Sequence, residues 1–82
     1  MQTIYLDADD YGTAREVHGA LQLLLGLPEY YGMNADALYD CLSERREPVS
    51  MVVRHEGNEE VAAALEKISR VVEDLEGSFR RL

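Results

Sequence analysis

The alternation of apolar and polar positions lays out six elements along the chain. Thr3–Leu6 (TIYL) is a short β-branched and aromatic run and predicts a strand. Asp7 to Gly12 (DADDYG) is rich in turn residues and reads as a loop. Val17, Ala20, Leu21 and Leu24 then recur at helical spacing. Thr13 followed by Glu16 is a capping-box pair ahead of them. Gly26 stands where such a helix ends and Pro28 where it cannot resume, so a first helix is predicted over Ala14 to Leu25. Asn34 is a suitable N-cap for a second helix, with Asp36 in its first turn and an end near Ser43. Its apolar face is Ala35, Leu38, Cys41 and Leu42. At about 100° per residue, Asp36, Asp40 and Ser43 point the other way, with Tyr39 at the boundary. Pro48 to Arg54 (PVSMVVR) predicts a second strand with its proline at the start, where a missing N–H does least harm. Asn58 can cap a third helix whose stripe is Val61, Leu65, Ile68, Val72 and Leu75, and Gly77 marks its end. The final SFRRL is a short strand candidate.

The predicted order is β-α-α-β-α-β. Strands separated by helices imply parallel pairing through right-handed crossovers. The expected fold is therefore a small α/β layer structure, a three-stranded parallel sheet packed with about three helices. With 82 residues and no repeat or long linker, the chain is expected to be one domain, 1–82. A domain of this size buries about 60% of its unfolded surface, enough to fold alone.

Charge changes the picture more than composition does. The formal net charge is −8. Through Glu44 there are eight acids against one base, Arg15; from Arg45 onward there are eight acids and seven bases. The negative field thus comes from one half of the chain. It disfavours nucleic acid and favours basic partners, although acidity also serves solubility. One cysteine cannot form an internal disulfide, and MQTIYLDADD does not read as a secretory leader. The longest apolar run, Leu23 to Leu25, is far below the ~20 residues that span a bilayer. These features predict a soluble protein in a reducing, cytoplasmic setting, with no membrane partner.

Most candidate chemistry fails on inspection. Asp7 to His18 has the outline of a calcium loop but carries Tyr11 at the fifth place and His18 at the twelfth, where a ligand and a bidentate Glu are needed. Two scattered histidines and one cysteine make no metal cluster, so no cofactor or metal is expected. Cys41 reads as core on the apolar side of its helix. His18, on the shoulder of the first helix, reads as a packing or hydrogen-bonding residue. Asp36 and Asp40 could form an acid/base pair, but a short helix face offers little cleft to split their pKa values.

Leu27 to Leu42, LPEYYGMNADALYDCL, holds what is unusual. Asp36 and Asp40 stand one turn apart with no Lys or Arg four residues away. Glu29, Tyr30 and Tyr31 precede them, Gly32 supplies a turn and Asn34 closes it onto the helix. Tyrosines beside uncompensated acids suit a surface that anchors a partner and selects it by charge. An ordinary solvated helix with a tyrosine-pinned loop fits the same residues, and both readings stand at this point.

LPEYYG, then Asn34, then DAL and DCL, closely resembles the barstar family, intracellular inhibitors of barnase-type ribonucleases. The resemblance implies a three-stranded parallel sheet with helices around it. It also implies that the second helix and its preceding loop plug a ribonuclease active site. On that footing Tyr30 is the loop tyrosine that stacks on the enzyme's catalytic histidine. Asp40 is the carboxylate that takes the phosphate position among basic residues, and Asp36 is the second acidic contact. Tyr31, Gly32 and Asn34 form the loop that presents them. Tyr39 stands where the best-known member has tryptophan, and Met33 where it has an acid. The segment after Pro48 is shorter, with one helix in place of two, and Glu73 is the candidate for the family's acidic contact on the last helix. The implied protein is a bacterial immunity-type inhibitor, monomeric when free and not an enzyme, whose partner is a basic, extracellular-type ribonuclease. The alternatives are an immunity or adaptor domain using the same surface on a different basic protein, and an enzyme subunit built on Asp36 and Asp40.

Overall fold

The computed structural model describes residues 2–82. The elements are β1 (Gln2–Asp7), α1 (Ala14–Leu25), α2 (Ala35–Ser43), β2 (Val49–Arg54), α3 (Glu59–Asp74) and β3 (Ser78–Arg81), with a single 3₁₀ turn at Ala8–Asp10. This is the β-α-α-β-α-β order that the hydrophobic pattern predicts, and the sheet is parallel throughout, in the order β1-β2-β3. Ile4 pairs with Met51 and Leu6 with Val53 across β1 and β2; Met51 pairs with Phe79 across β2 and β3. With neighbouring strands also consecutive in sequence, right-handed crossovers carry all three helices to one face. The burial of β1 agrees: Ile4 and Leu6 are covered, whereas Thr3 is exposed and Tyr5 is 71% exposed on the other side. The register sets Tyr5, Val52 and Arg80 in a row on that open face.

The core lies between sheet and helices. Val61, Leu65, Ile68 and Val72 of α3 are all at most 1% exposed, and they meet Met51 and Val53 of the central strand, both fully buried. Each helix starts on the residue predicted to cap it. Thr13 Oγ1 accepts from Glu16 N–H, Asn34 Oδ1 from Ala37 N–H and Asn58 Oδ1 from Val61 N–H.

Two details depart from the sequence reading. The buried face of α1 is Val17, His18, Leu21 and Leu25, while Leu24 is 45% exposed. Packing against α3 and the sheet selects the four-residue ladder 17-21-25 over the three-and-four ladder that ends at Leu24. At the end of α3 the left-handed residue is Glu76 (φ 66°), not Gly77. Glu76 N–H donates to Glu73 O and Gly77 N–H to Val72 O, the paired bonds of a Schellman ending. Gly77 is needed for a different reason: a Cβ there would sit 2.2 Å from Val49 O.

Candidate functional site

The loop before α2 alternates its two tyrosines. Tyr30 is 87% exposed and Tyr31 is 5% exposed. Tyr31 N–H donates to Pro28 O, which turns its ring inward. There its hydroxyl lies 2.7 Å from His18 Nδ1 in a shared hydrogen bond, and 3.4 Å from Asn34 O. Burial pushes the Tyr31 hydroxyl up and the His18 imidazole down from their ordinary pKa values, so both are held neutral. The pair therefore braces Asn34, and through it the start of α2, from inside the core. Asn34 Nδ2 donates to Gly32 O, closing the turn. Gly32 is itself confined: a Cβ would lie 3.2 Å from Ala37 Cβ. Of the expected loop contacts, Tyr31 thus supports the surface without forming part of it, whereas Tyr30 projects from it.

On α2, Asp36, Tyr39 and Asp40 are all exposed, while Leu38 and Leu42 face the core. Neither aspartate has a basic group within ion-pair distance among the described residues. Glu44, four residues beyond Asp40 and also exposed, extends the acidic row to the C-cap of the helix, whose last turn carries no base. Asp40 and Tyr30 line one concavity together with Pro28, Cys41, Glu44 and Arg45. Arg45 is tied down in that wall, donating to Gln2 Oε1 and to the Leu25 carbonyl. Asp36 lies on the other flank, in a groove between α2 and α3 shared with His18, Met33, Lys67 and Arg70. The helix is thus an exposed ridge between two depressions. Glu73 is exposed on α3 but is not among the residues lining the Asp36 groove.

Sequence reasoning passed over Glu44, Lys67 and Arg70. The signal for Glu44 was the continued spacing of four. For Lys67 it was the lack of any acid three or four residues away, where its neighbour is instead Arg70.

One other polar cluster exists among the described residues. His55 Nδ1 lies 2.9 Å from Asp7 Oδ1 and 3.6 Å from Asp9 Oδ2 in the loops leaving β2 and β1. The hydrogen bond raises the His55 pKa and lowers that of Asp7. This is an exposed ion pair across the two loops. No described helix is long and apolar enough to cross a membrane.

The family model described as "Barstar (barnase inhibitor)" matches residues 1–81. A Bacillus subtilis (strain 168) protein named "Putative ribonuclease inhibitor YrdF" is 42% identical over 43 residues, which make up 52% of this chain and 47% of that protein. In that match the chain covers about half the relative's length.

Proposed function

The chain belongs to the barstar family, and from that premise we propose that it inhibits a barnase-type ribonuclease by inserting α2 and its preceding loop into the enzyme's active site. The observation that carries this reading is the pairing of Tyr30 with Asp40. Both are exposed, both border one concavity, and among the described residues neither side chain makes a hydrogen bond or ion pair. A ribonuclease site must stabilise phosphate, so it holds Arg, Lys and His donors in a cleft. The Asp40 carboxylate accepts from those donors and presents no phosphodiester to cleave. Asp36, one turn earlier, meets the donors at the edge of the cleft. Tyr30 offers its ring to the enzyme's catalytic imidazole, and Tyr39 fills the space between ring and acids. The protein acts by occupying the site, with no catalytic residues and no cofactor of its own. Glu73 would touch the enzyme only at the margin.

The arrangement is built in advance. Asn34 fixes the helix start and the Tyr31–His18 pair fixes Asn34, so little ordering is left for the moment of binding. In a bacterial cytoplasm such a protein protects its host from a ribonuclease made for export.

The test is titration of the purified protein into a barnase-type ribonuclease, read by RNA cleavage. Stoichiometric inhibition is expected. Asp40→Ala should weaken binding by about 2–5 kcal/mol, a general range for truncating one side of a buried charge pair that includes complexes of this same family. Its unfolding midpoint should stay within about 0.5 kcal/mol of the wild type, since the residue is exposed. Unchanged affinity removes α2 from the interface. Failure to inhibit any such ribonuclease, with tight binding to another basic protein, makes this an adaptor.

A further inference from the structure

Beside the acidic ridge stands a basic one. Lys67 and Arg70 are the only bases within α3, whose other charged residues are Glu59, Glu60, Glu66, Glu73 and Asp74. They lie three residues apart, so they share a helix face, and both line the groove that Asp36 borders. Arg70 has a loose, exposed partner in Glu66, at 3.5 Å. Lys67 makes no ion pair among the described residues, and its only charged neighbour at helical spacing is Arg70. Among the described residues neither base is paired with α2, and within α3 only Arg70 has a partner, the exposed Glu66.

We infer that Lys67 and Arg70 form a second, basic half of the interface, and that the ribonuclease this protein inhibits carries a carboxylate at the rim of its basic cleft to meet them. The inference rests on the reading of α2 as the inhibitory surface. If Asp36 enters the edge of a basic cleft, the next helix comes down on the cleft's rim. A uniformly basic rim would meet Lys67 and Arg70 with like charge, which is costly when water is excluded. A rim carboxylate turns that conflict into a pair and fixes the direction in which α2 lies. The ridge would then separate ribonucleases with an acidic rim from those without one, which the shared phosphate-binding chemistry cannot do.

The sign of the effect distinguishes local pairing from the general field. A chain of net charge −8 attracts a basic enzyme, so added negative charge should by itself speed association. Local pairing predicts the opposite. The experiment measures the affinity of Lys67→Glu/Arg70→Glu for a purified barnase-type ribonuclease that the wild type inhibits, beside Asp40→Ala. The neutral pair Lys67→Met/Arg70→Met covers the chance that new acids next to Glu66 and Asp74 unsettle α3; denaturation midpoints check the fold. Weakening of about tenfold or more for the reversal and less for the neutral pair, chiefly through faster dissociation, is expected. Changing the enzyme's rim carboxylate to Lys should restore binding to the reversed variant. Equal or tighter binding of both variants overturns the inference while a deleterious Asp40→Ala leaves the α2 reading in place. A silent Asp40→Ala with a weakened reversal overturns the α2 reading instead. If the wild type inhibits no such ribonuclease, both fall.

Discussion

At the scale of single residues, the two tyrosines and two histidines show how environment divides identical side chains. Tyr30 and Tyr31 are adjacent, yet one is solvent's neighbour and the other is core. Nothing in the sequence of the pair says which; the direction is set by the Tyr31 N–H bond to Pro28 O and by the imidazole waiting inside. The histidines part in the same way. Burial lowers the pKa of His18, so its neutral form is the folded form. The stability this gives is present above the unfolded value near 6.5 and is lost as pH falls below it through the lowered value. For His55 the Asp7 hydrogen bond, with the charges of Asp7 and Asp9, raises the pKa. Its contribution is present below about 6.5 and is lost as pH rises through the raised value. Following the two imidazole Cε1–H signals by NMR should therefore show His18 titrating below 6.5 and His55 above it. The reverse order would mean that the His18 imidazole is not buried in solution as it is here.

At the scale of elements, the hydrophobic pattern and the caps gave all three helices nearly to the residue, because Thr13, Asn34 and Asn58 each act locally through their own side chains. What the pattern could not give was anything decided by a distant neighbour. Leu24 and Leu25 are equivalent until α1 is laid against its neighbours. Gly77 is marked as a helix stop by its type, yet its position is dictated by the Val49 carbonyl across a strand junction. That distinction has opposite consequences at adjacent positions. Gly77→Ala should destabilise by about 1–3 kcal/mol, since the new methyl must displace backbone. Glu76→Gly should stabilise by up to about 1 kcal/mol, by relieving a left-handed non-glycine residue. Denaturant midpoints for the two variants check this; a destabilising Glu76→Gly would show that Glu76 is not strained. The same division holds for the site. Asp36, Asp40 and Tyr30 could be picked out as candidates because they sit together in sequence, whereas Lys67 and Arg70 come beside Asp36 only through the packing of α3 on α2.

At the scale of the whole molecule, what matters is where the charge lies as well as how much there is. The acids of α2 form one exposed row, Asp36 and Asp40 with Glu44 at the C-cap, and Glu29 is exposed in the loop before it, whereas Asp7 and Asp9 lie beside His55. Arg80, in contrast, lies on the open face of the sheet beside Tyr5 and Val52, away from the helical layer. On the proposed reading, a basic enzyme approaching this molecule would meet an oriented field that aligns α2 before contact. Association with the ribonuclease should then slow steeply as ionic strength rises past about 0.1 M, where the Debye length falls below about 10 Å, while dissociation changes little. Net charge alone would give a similar slope, so two single substitutions separate the cases. Glu44→Gln and Arg80→Gln each shift the net charge by one unit, in opposite directions. If placement governs, stopped-flow rates at low salt should fall clearly for Glu44→Gln, at the end of the acidic row, and barely rise for Arg80→Gln. Near-equal and opposite changes would mean that the enzyme senses only the total charge, and that the acidic row of α2 contributes nothing to its capture.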